Sequence, residues 1–143
     1  NLGSFARPAL RRKAASPAPT GTGGEHARQL RAGAAGDRIA TMPYVYGGGH
    51  GSFTASGYDC SGSVSYVLHA AGLLRTPLDS SGFESYGAPG RGRFVTIYAN
   101  GGHAYMVVRG HRFDTSGLHE NGSRWAPGGR SPDGYTVRHP RGL

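Results

Sequence analysis

Two hydrophobic periods divide this chain, and the change between them limits what it can become. From Asp59 to Gly72 the apolar side chains recur at helical spacing, with Cys60, Val64, Val67, Leu68 and Ala71 on one stripe. Later the runs shorten and alternate: "RFVTIYA" (93–99), "HAYMVV" (103–108) and "HRFDTS" (111–116), with "GYTV" (134–137) as a last strand. A helix followed by antiparallel strands implies an α+β domain with the helix packed on the sheet. The 26 glycines and 9 prolines among 143 residues add long loops, and the length suits one domain rather than two.

Residues 1–24 are rich in Pro, Ala, Gly and basic side chains without an apolar period, and read as a flexible linker. The domain then spans 25–143. Its first helix is expected over 25–40, with Leu30, Ala34 and Ile39 on the inner side, although Gly33 and Gly36 weaken it. Asp59 is a natural N-cap for the next helix and Gly72 its terminating glycine.

The net charge is +8, and of 16 basic residues only Lys13 is lysine. Such a surface favours anionic partners; "RRK" (11–13) reads first as a solvated charge cluster, with an electrostatic foothold on an anionic wall polymer or membrane through the basic tail as the alternative. No zinc-finger, RNP or helix-turn-helix signature is present, so nucleic acid is not an expected partner. No run is long and apolar enough for a transmembrane helix, and a monomer is expected. The single cysteine excludes an internal disulfide. No two histidines have i, i+4 spacing, and neither a metal nor another cofactor is expected.

Cys60 sits in the first turn of its helix, where unpaired N–H groups and the positive end of the helix dipole favour thiolate over thiol. The same N–H groups can receive a developing oxyanion, and the small neighbours Ser61 and Gly62 leave room for a carbonyl. By position alone, a small buried hydrophobe is an equal reading of Cys60.

The wider pattern separates the two. "PYVYGGGHG…GYDCSGSVSYVLHAAGL" followed by "NGGHAYMVV" resembles the signature of the NlpC-type (P-sixty type) cell-wall cysteine peptidases, which have a reduced papain-like fold. Pro43-Tyr44-Val45-Tyr46-Gly47-Gly48 and Asp59-Cys60-Ser61-Gly62 match two elements, His103 the third, and the likeness covers about 40–143. The resemblance implies Cys60 as nucleophile and His103 as general base, with Tyr44 and Ser61 on the substrate and oxyanion side. It also implies a secreted or wall-associated bacterial hydrolase acting on peptidoglycan stem peptides or cross-links. An amidase or acyltransferase using the same pair, or a wall-binding module with a vestigial pair, are the alternatives.

Family members carry a polar third group, often histidine, about twelve residues after the base; here position 115 is Thr and 114 is Asp. A two-residue hairpin loop at Arg109-Gly110 pairs Val108 with His111, so paired positions sum to 219. His103, Tyr105, Asp114 and Ser116 then share one face, and Thr115 points away. Asp114 is therefore the expected orienting residue, the alternative being a surface aspartate paired with one of the many arginines. The other histidines compete poorly: His69 faces opposite the thiol, His50 reads as a solvated loop residue, and His111 and His119 as turn and loop residues. The chain lacks the family's Gly-Asp-Leu turn before the middle strand and has Tyr105 where a small residue is usual. Its tail 122–143 offers no chemical motif, and Trp125 is expected in the core rather than on the cleft wall.

Overall fold

The computed structural model describes residues 22–143. The linker read over 1–24 therefore lies outside the described residues up to position 21, and the first helix already starts at Thr22. In chain order the elements are α1 (Thr22–Ile39), α2 (Cys60–Ala70), α3 (Ser80–Phe83), β1 (Ala88–Pro89), β2 (Val95–Ala99), β3 (Ala104–Val108), β4 (His111–Phe113), α4 (Ser116–Asn121), β5 (Trp125–Ala126) and β6 (Thr136–His139). The expected α+β class is what the chain adopts: helices packed on one antiparallel six-stranded sheet of order β1-β6-β2-β3-β4-β5. None of the described helices is long and apolar enough to cross a membrane.

The core lies between α1, α2 and the central strands. Val95, Ile97 and Ala99 of β2 alternate inward and pair with Val108, Met106 and Ala104 of β3, and all six are buried. Val64, Val67 and Leu68 of α2, with Ala71 at its C-cap, close on them, as the stripe predicts. Asp59 caps α2 by accepting from the Gly62 N–H at 2.7 Å. At the other end Gly72, at φ 76°, donates to His69, and Leu73 donates to Leu68, a Schellman ending.

Helix α1 corrects one expectation. Leu30 is 44 % exposed and Ala34 also faces outward, whereas Ala32, Ala35, Gly36 and Ile39 form the buried stripe. Ile39 lies inside as expected, but Leu30 and Ala34 do not, because the contact above Ile39 is made by small residues. A Cβ at Gly36 would overlap the Trp125 ring, so α1 approaches the sheet edge closely there. Trp125 packs against Phe113 at 4.7 Å between centroids and donates to Asp37, on the core side as expected.

The hairpin between β3 and β4 has the expected register, with Met106, Val107 and Val108 opposite Phe113, Arg112 and His111. Arg109 and Gly110 both have positive φ, 51° and 85°, the geometry of a two-residue type I′ turn. The strand stops at Phe113, three residues short of the expected 116. Asp114 ends it because its own groups accept the Ser116 and Gly117 N–H bonds, which turns the chain into α4.

One buried cation organises the surrounding chain. Arg124 is 0 % exposed and, among the described residues, has no carboxylate partner. It donates to Ser63 Oγ and to the carbonyls of Ile39, Met42, Pro43 and Tyr58, joining the end of α1, the start of the glycine loop and the approach to α2. Burial pulls its pKa down to about 10. Arg124→Met leaves these acceptors unpaired in the interior and is expected to cost about 3 kcal/mol or more, since each buried orphan costs about 1–3 kcal/mol. Urea unfolding measures this, and an unchanged midpoint would remove Arg124 from its structural role.

Candidate active site

The glycine loop and the start of α2 are pressed together backbone against backbone. The Gly48 carbonyl accepts the Asp59 N–H at 3.2 Å, and a Cβ at Gly62 would overlap that same carbonyl. Asp59 ties the loop from the other side, its Oδ2 accepting the Gly47 N–H at 3.0 Å. With Asp59 and Gly62 N–H groups satisfied, those of Cys60 and Ser61 are the first-turn donors without a protein partner among the described residues. They border a cleft of about 370 Å³ lined by Tyr44, Tyr46, His50, Cys60, Ser61 and the 79–81 and 101–102 segments.

Cys60 is a free thiol, partly exposed at this cleft. Burial opposes its ionisation, but hydrogen bonds from His103 and the Ala104 N–H, together with the charge on His103, outweigh it and lower its pKa. His103 just precedes β3, which packs on α2, so the sheet carries the imidazole to the thiol. Its Nε2 donates to Asp114 Oδ1 at 2.9 Å, which leaves Nδ1 for Cys60. Burial disfavours the imidazolium, yet the hydrogen bonds and charges of Asp114 and Cys60 hold the His103 pKa up at about 9.

Asp114 has no exposed side-chain surface. Its Oδ1 takes His103 and the Ser116 N–H, while Oδ2 takes Arg112 at 2.6 Å and Arg130 at 2.8 Å. Burial alone would raise its pKa, but these donors hold it well below the ordinary carboxylate range. Thr115 is buried at the head of α4 and makes no side-chain cap bond. The hairpin parity thus brings Asp114, and not Thr115, to His103.

Tyr44 stands half-exposed on the cleft wall, and burial followed by the charges of Cys60 and Asp59 raises its pKa. Ser61 also lines the cleft, but its hydroxyl lies 3.0 Å from His50 Nε2 and 3.5 Å from Asp59 Oδ1, so its side chain is engaged within the wall. Its backbone N–H is the part left for a substrate oxygen.

His50 corrects the solvated-loop reading. It is only partly exposed, with Nε2 2.8 Å from Asp59 Oδ1, and it lines the cleft. The Asp-x-Ser frame around Cys60 was the available signal, since it offers acceptors to any residue the glycine loop folds back. His69 faces away as expected, stacked on Phe53 at 3.8 Å. His111 and His119 are exposed, the first opening β4 and the second inside α4 rather than in a loop. Among the described residues no cluster of His, Cys, Asp and Glu suits a metal. Arg112, Arg124 and Arg130 were missed altogether; isolated arginines in a basic chain carry no spacing signal.

The charge arrangement predicts the pH behaviour of the thiol. His103 is a cation below about 9 and loses its charge as pH rises through that value, while Cys60 ionises below the ordinary thiol value of 9.0. Alkylation by iodoacetamide is expected to show this thiolate–imidazolium window. Asp114→Ala should narrow it from both sides, because the imidazolium loses its counter-charge and the thiolate loses part of its cation. Thr115→Val should leave it in place. A window insensitive to Asp114 would strip that residue of its orienting role.

The chain matches no protein-family model and no curated protein.

Proposed function

We propose that this protein is a cysteine peptidase that hydrolyses amide bonds in peptidoglycan stem peptides or cross-links, secreted or held at the bacterial wall. The observation that carries the reaction type is the buried relay from Asp114 through His103 to a thiol at a helix N-terminus. The substrate class comes from the likeness of the Pro43–Gly48, Asp59–Gly62 and His103 segments to the NlpC-type wall peptidases.

Catalysis follows from the placed groups. The Cys60 thiolate attacks the scissile carbonyl, and the oxygen that gains charge meets the free N–H groups at the start of α2 and the Tyr44 hydroxyl. His103 gives the proton on Nδ1 to the departing amine, leaving an acyl-enzyme thioester. Water then attacks the thioester, His103 takes its proton, and the thiolate departs with the acid product released. Asp114 holds Nε2–H throughout, so Nδ1 remains the nitrogen that exchanges protons.

Purified peptidoglycan digested with the protein should yield fragments whose masses locate one cleaved amide bond. Cys60→Ala and His103→Ala should abolish that release, and Asp114→Ala should lower it roughly 10- to 10⁴-fold by comparison with other orienting carboxylates. His69→Ala should cost little. Product joined to an added amine instead of water would favour acyl transfer, and wall binding without cleavage would favour a non-catalytic module.

Tyr44→Phe separates two roles of the cleft wall. Loss of an oxyanion donor should reduce kcat by up to about 3 kcal/mol while KM changes little. A change confined to KM would make Tyr44 a substrate-binding residue.

A further inference from the structure

The two guanidinium groups on Asp114 are not equivalent. Arg112 is buried, and its second nitrogen is neutralised by Glu120 at 2.9 Å. Arg130 has Asp114 as its one carboxylate partner among the described residues. Its other contacts are the Ser116 hydroxyl at 2.9 Å and the faces of Tyr105 and Tyr135, at 5.3 and 5.7 Å. Its Nη1 also lies 3.3 Å from His103 Nε2. Because Nε2–H is donated to Asp114, this close approach sets two donors face to face and is repulsive. Arg130 therefore competes with His103 for a single carboxylate.

The placement is built by the chain between β5 and β6. That segment crosses the outer face of the sheet, pinned where the Gly128 carbonyl accepts from Arg112 and the Gly134 carbonyl from Asn100. Gly128 and Gly134 take left-handed φ values of 75° and 84°, which let the loop turn down and present Arg130 to the back of the site.

We infer that Arg130 acts through Asp114, drawing off part of its charge while Arg112 and the Ser116 N–H hold the carboxylate in place, so that the His103 imidazolium remains acid enough to protonate the leaving amine. This rests on the Cys60–His103 reading above. A carboxylate bound to His103 alone would be equally close yet would hold the imidazolium proton more firmly. The groups facing His103 are Cys60 from α2, Asp114 after β4, Arg130 from the loop, and the neutral rings of Tyr105 and Tyr135. Arg112 and Glu120 stand behind Asp114 as a balanced pair, and Asp59 bears on the thiol from the start of α2. Among these, Arg130 is the cation whose removal leaves the His103–Asp114 contact itself intact.

The test follows the His103 ring by NMR as pH is raised, in the wild type and in Arg130→Met, Arg130→Gln and Arg130→Lys, with iodoacetamide alkylation of Cys60 in parallel. Arg130→Met and Arg130→Gln should move the His103 titration upward by roughly half a pH unit or more, since a nearby charge shifts a pKa by about one unit or more. Arg130→Lys should stay near the wild type. A merely structural role predicts the opposite sign, because a displaced Asp114 lowers the titration as Asp114→Ala does. Gln keeps donors without charge, so it gives the answer even where Met disturbs the loop. A titration that stays put or falls in the uncharged variants overturns the inference. A wild-type His103 that titrates near its ordinary 6.5 instead overturns the Cys60–His103 reading, whatever Arg130 does.

Discussion

The fold depends on a buried cation that has no counter-ion among the described residues. Arg124 reaches four carbonyls and one hydroxyl from three stretches of chain, and its own backbone is bonded on both sides. Its N–H donates to Ala40, and its carbonyl accepts the Asp114 N–H at 2.8 Å. A charge moved out of water survives only when dipoles replace its hydration, and backbone carbonyls fixed by helix ends and turns supply them here. A carboxylate partner would have discharged the guanidinium at one point. Spreading the contacts over carbonyls makes one side chain measure the spacing of Pro43, Tyr58 and Ser63 together. Tyr44 follows the first and Cys60 lies between the other two. The same residue thus sets the cleft through its side chain and the orienting carboxylate through its backbone.

A second balance is laid over that frame. His103 is raised toward about 9, so its ionic contribution to stability is complete below its ordinary 6.5 and disappears as pH climbs through about 9. Asp114 is depressed, so its contribution is present above its ordinary 3.8 and lost as pH falls below it. The two limits bracket a range in which the fold and the thiolate–imidazolium pair are both supported. The shared carboxylate is what makes these one range: the charges that order the loop between β5 and β6 also order the relay.

What could be read from the sequence was local or periodic. The cap at Asp59, the Schellman ending at Gly72 and the 219 register of the hairpin each depend on residues a few positions apart, and each is present. The same register, carried past its last pair, put Asp114 beside His103 although the strand itself ends at Phe113. The face of α1 was misjudged because its contact is made by small residues, and size says nothing of how closely two backbones approach. Arg124 was illegible for a different reason. Four of its five acceptors are carbonyls, which every residue carries, and those four lie 66 to 85 positions away. His50 fell between these cases: its partner Asp59 was recognised as a cap, but no spacing in the glycine loop signals that the loop folds His50 back onto it.

The distribution of charge has a consequence for how a polymer could be both held and cut. The chain carries +8, yet among the described residues no arginine or lysine lines the cleft beside Cys60. The arginines nearest the relay, Arg112 and Arg130, do not line that cleft and are ion-paired to Asp114 and Glu120. The cleft itself holds Asp59 and Asp79, each capping a helix. Positive potential on the rest of the surface can attract an anionic polymer over about 8 Å at physiological ionic strength, and salt weakens it. The reacting groups sit within a few ångströms of one another in a partly buried pocket, where screening is small. Under the proposed function, retention on the wall and bond cleavage would therefore respond to different variables, ionic strength for the first and proton concentration for the second.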